Sequence, residues 1–170
     1  MTDAIRAAIE GAGAYLAEHP DEARYTDSLA TARLGDALHV RVEGPNGERI
    51  ETDMPAGIGG LGAAAGPGWL FRAAVAACVA SLVGMRAAQL GLTGLRCEVE
   101  VDSESDDRGI LGLDDAVPAG PASMRICLRL AADDADQAQL EQLAAWAVDH
   151  CPVADAVRRV VDVRVEVRPA

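Results

Sequence analysis

Residues 66–91, GPGWLFRAAVAACVASLVGMRAAQLG, are the longest apolar stretch of the chain, and they decide its fold. Pro67 suits the first turn of a helix, because its missing N–H would have no partner there. Gly91 suits the left-handed position that closes a helix. The stretch therefore predicts one long helix with a thiol, Cys78, near its middle. A helix that is apolar on nearly all sides must be surrounded by protein.

The composition predicts one domain with an aliphatic core. A chain of 170 residues has a one-domain length. Half of its residues are hydrophobic but only 3% are aromatic, so Ala, Val and Leu must fill the core. Cores of small residues often gain buried area when two chains pair. The formal net charge of −12 disfavours binding to nucleic acid or to an anionic membrane surface, because no basic stretch neutralises phosphates.

Neither membrane insertion nor export is expected. Arg72 and Arg86 interrupt the long apolar stretch, which favours a helix buried in protein over a membrane span. The N-terminal residues MTDAIRAAIEGAG carry early acids and lack the apolar core of a signal peptide. Four cysteines without such a signal indicate a reducing cytoplasm. Their spacing contains no C-x-x-C pair, so no zinc site is expected.

The rest of the chain combines runs of short strands with helices. Hydrophobic periodicity and turn residues predict an N-terminal helix over 3–18, a linker over 20–27, strands at 28–33, 37–44 and 48–53, a Gly-rich loop over 55–68, strands at 95–102 and 123–133, a helix capped by Asp133 or Asp134 that ends near Asp149, a short helix from Pro152 and a closing strand over 160–168. This order is α+β and antiparallel, because it does not alternate strand and helix as a doubly wound sheet does.

Two of the thiols lie where chemistry is possible. Cys151 stands at the start of the short helix, where free backbone N–H groups lower the pKa of a thiol. Burial in an apolar helix should instead raise the pKa of Cys78, so that this thiol needs a nearby cation to react. The alternative is that all the cysteines are small core residues, since free Cys is among the most buried residue types. Cys97 and Cys127, both in strands, are assigned that structural role.

Two patterns resemble the OsmC/Ohr family of osmotically inducible and organic hydroperoxide resistance proteins. Residues 66–82, GPGWLFRAAVAACVASL, look like the family's central helix with its reactive cysteine. Residues 148–167, VDHCPVADAVRRVVDVRVEV, look like its Cys-Pro motif, short helix and closing strand. The Gly59-Gly60 pair and the GILGLDDAVPAG stretch fit as well. The resemblance covers residues 28–170 as an OsmC-like domain and leaves 1–27 outside as a helix and linker.

The resemblance implies a fold and a reaction. It implies an intertwined homodimer in which antiparallel sheets wrap two central helices, with the sites at the interface. Active members reduce organic hydroperoxides with a peroxidatic cysteine, matching Cys78, and a resolving cysteine, matching Cys151, which form a disulfide. An external dithiol, a lipoylated protein in the Ohr branch, then reduces that disulfide. No metal or tightly bound cofactor is implied.

In members of the family an arginine near the end of the first strand stabilises the reactive thiolate, and this sequence matches that feature only in part. Arg33 is the best positional match, with Arg41 and Arg49 as alternatives, and each is equally well explained as an exposed strand residue. The glutamate that orients this arginine is replaced by Gly68. Asp149 is a candidate substitute.

The neighbouring Trp69 either lines an apolar pocket or packs at a contact. The lost glutamate keeps a second hypothesis open, in which the chain is a non-enzymatic or weakly active dimer that binds a small apolar ligand at its interface.

Overall fold

The computed structural model describes residues 2–169 and has the predicted α+β architecture. Met1, the first residue of the predicted N-terminal segment 1–27, and Ala170, the last residue of the predicted domain 28–170, lie outside the described residues. The helices and strands are α1 Thr2–Glu18, β1 Thr31–Leu34, β2 Val40–Glu43, β3 Arg49–Thr52, α2 Pro67–Leu90, β4 Arg96–Glu104, α3 Asp107–Ile110, β5 Ser123–Ala131, α4 Gln137–Asp149 and α5 Pro152–Arg158. They form two antiparallel sheets, β1-β2-β3 and β4-β5.

The long helix α2 forms the centre of the fold and has the predicted ends. Pro67 stands in its first turn, and Gly91 closes it in the left-handed conformation with φ 76°. Its buried residues include Val75, Val79 and Val83, which are spaced by four and so lie on one face. This face packs against β4 and α4. By length and composition α2 could also cross a membrane.

The expectation that protein surrounds α2 on all sides is wrong for the single chain. Trp69 remains 55% exposed and Met85 39% exposed. Between them, Ala74, Ala77 and Ser81 are exposed along the face opposite the buried stripe. No element within residues 2–169 covers this face fully, so the small residues of α2 lie at the surface.

The β4-β5 sheet covers the buried side of α2. Its register runs from Arg96 opposite Ala131 to Glu104 opposite Ser123. The inward faces of both strands carry the predicted aliphatic residues, which pack against the core: Val99, Val101, Ile126, Leu128 and Leu130. The outward face carries charges, and Arg129 bridges Glu98 at 3.0 Å and Glu100 at 2.7 Å. This division between the two faces follows from the alternation of side chains along a strand.

The cap of helix α4 lies two or three residues later than the sequence predicted. Asp136, rather than Asp133 or Asp134, caps it, and the Asp136 carboxylate accepts the Gln139 N–H at 2.9 Å. The Asp134 carboxylate is engaged elsewhere, because it accepts the backbone N–H of Thr93 at 3.0 Å. Helix α4 then buries Leu143 and Ala147 against the core.

The N-terminal sheet has an uncovered apolar face. The register pairs Ala32 with Val42 and Leu34 with Val40, so these side chains share one face with Ile50. Leu34 is 70% exposed and Ile50 47% exposed, since no helix of the described chain covers them. Strand β2 starts later than predicted because residues 36–38 form a tight turn.

The predicted closing strand is wrong for the single chain. Residues 160–169 extend beyond α5 without joining either sheet. Val160 is 98% exposed and Val167 90% exposed. An alternating sequence becomes a strand only where a neighbouring strand supplies hydrogen-bond partners, and within residues 2–169 this segment has none.

The N-terminal helix α1 forms as predicted and stops before His19 and Pro20. It crosses the end of α2, where Arg6 Nε donates to the Ala88 carbonyl at 2.9 Å. Most of its other side chains are exposed.

Candidate functional site

The fold brings Cys78 and Cys151 together. Helix α2 carries Cys78 at its middle, and the break between α4 and α5 carries Cys151. The break occurs there because Pro152, which has no N–H, cannot continue α4 and instead opens α5. Cys78 packs against the buried cluster that contains Cys151, close enough for Cys151 to raise the pKa of Cys78, and both thiols are free rather than joined in a disulfide.

The two sulfurs differ in their access to solvent. Cys151 is 0% exposed, whereas Cys78 is half-buried. The Cys151 sulfur accepts the Ala154 N–H at 3.3 Å. A small molecule arriving from solvent can therefore reach Cys78 but not the buried Cys151.

Burial raises the pKa of Cys78 above its ordinary value, as the sequence predicted. The neighbouring Cys151 thiol raises this pKa further, and the Val153 N–H opposes the shift. A raised pKa means that little thiolate is present near neutral pH. Cys78 therefore needs additional positive charge to become a strong nucleophile.

The candidate arginines lie on the N-terminal sheet, away from Cys78. Arg33 Nη1 is 2.7 Å from Glu43 Oε2, and Arg49 also pairs with Glu43, at 3.2 Å. Arg41 lies 3.7 Å from Glu51. Within the described chain none of these guanidinium groups contributes to the pKa of Cys78. One chain thus assembles the two thiols without bringing Arg33 to them.

The first turn of α2, which contains Gly68, carries no acidic residue. A Cβ built on Gly68 would lie 3.8 Å from Arg72 Nη1, and that atom is 3.4 Å from Ser103 Oγ. Asp149, the candidate substitute for the missing carboxylate, pairs with Arg158 at 3.1 Å on the surface. Trp69 extends from the same first turn of α2 and is exposed.

A buried carboxylate orders the loop that leads into α2, and the sequence reading missed it. Asp53 is 1% exposed. Its oxygens accept backbone N–H groups from Met54 at 2.7 Å, Leu61 at 3.1 Å and Ala63 at 2.9 Å. The Ala63 N–H, followed by those of Leu61 and Met54, lowers the pKa of Asp53 despite its burial. Gly60 must be glycine because a Cβ there would collide with the Met54 carbonyl. The sequence offered one signal for this role of Asp53: an Asp stands just before a loop whose backbone N–H groups have no partners in regular structure.

Three further side chains could carry chemistry: His150, next to Cys151, and the other two cysteines. His150 Nδ1 lies 2.8 Å from the Trp146 carbonyl oxygen, and the two rings stack with centroids 4.2 Å apart. Cys97 and Cys127 stand in β4 and β5, opposite Leu130 and Glu100 respectively. The core role predicted for them is wrong for Cys97, which is exposed, whereas Cys127 is half-buried. Among residues 2–169 no three potential metal ligands cluster together.

The fold and the thiol pair define the class of protein: an α+β chain whose central helix presents a cysteine to a Cys-Pro turn. The chain belongs to the OsmC-like family, whose model, described as OsmC-like protein, matches residues 60–166.

Solved structures of this family are similar to the chain. An organic hydroperoxide resistance protein OsmC from Legionella pneumophila is 26% identical, with a TM-score of 0.57 over 83% of this chain and 96% of that one. The organic hydroperoxide resistance protein OhrB of Bacillus subtilis is 25% identical, with a TM-score of 0.51 over 84% and 98%. An OsmC-like protein from Mycoplasma pneumoniae is 14% identical, with a TM-score of 0.66 over 81% and 91%, and shows the fold alone. A comparison with curated protein sequences found no match.

Proposed function

We propose that this chain is a thiol-dependent peroxidase that reduces organic hydroperoxides with Cys78 as the peroxidatic and Cys151 as the resolving cysteine. The packing of Cys78 against the buried cluster that contains Cys151 carries the proposal. It is supported by the similarity to proteins named for organic hydroperoxide resistance, at 26% and 25% identity. Cys78 is assigned the first step because it is the more accessible sulfur.

The proposed reaction proceeds in three balanced steps. The Cys78 thiolate attacks the O–O bond of ROOH, which gives a sulfenic acid on Cys78 and an alkoxide that takes up a proton to become ROH. The Cys151 thiol then displaces water from the sulfenic acid and forms the Cys78–Cys151 disulfide. An external dithiol reduces this disulfide by exchange and is itself oxidised to a disulfide. A lipoylated protein in a reducing cytoplasm is the proposed reductant.

We further propose that the active form is an intertwined homodimer, in keeping with the dimers common in this family. Three uncovered surfaces of the single chain support this: the small-residue face of α2, the apolar face of the N-terminal sheet, and the unpaired residues 160–169. Each of them would gain a partner from a second copy. Burial of the exposed Leu34 and Ile50 would add to the hydrophobic stabilisation.

A dimer would also offer a source for the missing positive charge. The N-terminal sheet is joined to the core of its own chain through the loop that follows β3, so its three arginines are candidates to approach the site of a partner. We propose Arg33 for this role. A guanidinium near Cys78 would offset the desolvation of its thiolate and lower the pKa.

Mixing reduced protein with one equivalent of cumene hydroperoxide tests the chemistry. Rapid quenching and peptide mass mapping should reveal a Cys78–Cys151 disulfide, with one cumyl alcohol formed per chain. Cys78→Ser should abolish alcohol formation. Cys151→Ser should still form one alcohol, but the product should be a sulfenic acid on Cys78. Cys127→Ser is the matched control on β5 and should behave as the wild type.

A different outcome would favour the second hypothesis, a dimer of this fold that binds a small apolar ligand at its interface. Gly68 and the raised pKa of Cys78 are the observations in its favour. If both thiols survive an equivalent of hydroperoxide for minutes, peroxidase activity is excluded. The interface should then be probed with an apolar fluorophore such as 1-anilinonaphthalene-8-sulfonate.

A further inference from the structure

A second concave site lies beyond the thiols, where the end of α2 faces α4. The cavity has a volume of about 310 Å³ and is lined by Arg86, Leu90 and Leu92 on one side and by Gln142, Leu143 and Trp146 on the other. Arg86 is eight residues beyond Cys78, roughly 12 Å along the helix axis. The cavity is therefore separate from the peroxidatic sulfur.

The guanidinium of Arg86 has no anionic partner in this cavity. Its carbon lies 5.0 Å above the Trp146 ring, a cation–π arrangement. Its one hydrogen bond, from Nη1 to Gln89 Oε1 at 3.3 Å, uses one of five donors. Most other arginines in residues 2–169 lie within 4 Å of a carboxylate, as Arg129 does, but Arg86 does not. In so acidic a chain, a half-buried arginine that faces a cavity without an acid is a candidate anion site.

The other lining groups complete a donor-rich and partly apolar site. The Trp146 indole N–H and the Gln142 side-chain amide make no hydrogen bond within residues 2–169, so both are free to donate. The three leucines supply an apolar wall. The lining contains no Asp or Glu. Trp146 is fixed from outside the cavity, because its ring also stacks on His150.

We propose that this cavity binds a small organic carboxylate, with the carboxylate on Arg86 and an apolar body against the leucines. Guanidinium matches carboxylate geometry with two parallel hydrogen bonds, and the indole and amide donors can add to them. A bare inorganic anion would leave the apolar wall in contact with water. The net negative charge of the chain does not prevent this, because charges beyond about 8 Å are largely screened at physiological salt.

Tryptophan fluorescence tests the proposal directly, because the chain has two tryptophans. In Trp69→Phe protein, the emission comes from Trp146 alone. Titration with benzoate at 0.15 M salt, a concentration chosen from the screening argument, should change this emission saturably with half-saturation in the millimolar range or tighter. Benzamide, the neutral analogue, and inorganic phosphate, which lacks an apolar body, should each bind at least about tenfold more weakly.

Two arginine variants provide the matched comparison. Arg86→Gln should weaken benzoate binding at least about tenfold, since it removes the charge-assisted hydrogen bonds. Arg96→Gln removes an exposed guanidinium on β4, 3.8 Å from Asp133, and should leave the titration unchanged. Circular dichroism of each variant checks that the fold is intact.

Several results would overturn the proposal. These are an emission that does not saturate with benzoate, equal binding of benzamide, equal binding of phosphate, or a folded Arg86→Gln protein that binds benzoate as the wild type does. The comparison of benzoate with benzamide needs no arginine variant, so the proposal stays testable even if Arg86→Gln does not fold. None of these readouts depends on peroxidase activity.

Discussion

Replacing Leu143 by alanine tests whether the α2–α4 contact supports the fold around the thiols. Leu143 is 1% exposed and belongs to the buried cluster that includes Val79, Ala147 and Cys151. The substitution removes three carbon atoms from this cluster and leaves a cavity between two helices. Both helices are anchored elsewhere, α2 by β4 and α4 by its capping box, so they cannot easily collapse into the space.

The burial of Leu143 sets the expected loss of unfolding free energy. Buried leucine-to-alanine changes cost about 2–5 kcal/mol, and the rigid surroundings place Leu143→Ala near 3 kcal/mol, a rough central value. For a domain of this size each kcal/mol lowers the melting temperature by about 2–4 °C. The reduced variant should therefore melt about 6–12 °C below the wild type.

Urea and thermal unfolding of reduced protein should be compared at one fixed protein concentration, because association would add to apparent stability. Leu113→Ala is the matched control: the same atoms are removed from a side chain that is 70% exposed, and the change should be within about 0.5 kcal/mol. If Leu143→Ala lowered the free energy of unfolding no more than Leu113→Ala does, Leu143 would not be a core residue and the packing described for α4 would be wrong.

Two further predictions concern charge. Asp53→Asn should destabilise the protein at neutral pH, because an amide offers one oxygen to the N–H groups of Met54, Leu61 and Ala63. The native pKa of Asp53 is lowered, so its contribution to the free energy of unfolding is present above about pH 4 and is lost as the pH falls through that native value. The difference in unfolding free energy between variant and wild type, measured in urea, should therefore become smaller in acid. A difference that does not change with pH would contradict this. Arg33→Gln should move the pH profile of Cys78 oxidation to higher pH, because a cation that favours the thiolate is lost, while sedimentation still shows a dimer. A monomeric wild type, or an unchanged profile, would exclude Arg33 as the partner's contribution.

Local signals were enough for much of the fold. Helix α2 was predicted correctly at both ends, because Pro67 and Gly91 mark a helix start and stop through their own backbone restrictions. Strands β4 and β5 followed from strict alternation, since each has one buried and one solvated face. The hairpin at Gly44–Gly47 was readable from its turn residues, because they tolerate the backbone angles that the turn needs.

Other features could not be predicted, because several residues could take the same role or because the partner of a residue was not evident from the sequence. The sequence offered several aspartates before α4, and only the tertiary contact of Asp134 with Thr93 left Asp136 as the cap. Asp53 looked like an ordinary strand-end residue, because its partners are N–H groups of a loop with no sequence pattern. The C-terminal alternation was real, but a strand also requires a neighbouring strand, and residues 2–169 of one chain supply none.

The sequence by itself determined the central helix, the α+β class and the two thiol motifs, because each depends on residues close together along the chain. Only the tertiary structure decided that Cys78 packs against the cluster containing Cys151, that Cys151 is the inaccessible sulfur, and that Arg33 pairs with Glu43. The two cysteines belong to segments more than seventy residues apart along the chain. Arg33 belongs to the N-terminal sheet, which is separate from the sheet that covers the core. Packing sets such distances and exposures, and residue spacing along the chain does not encode them.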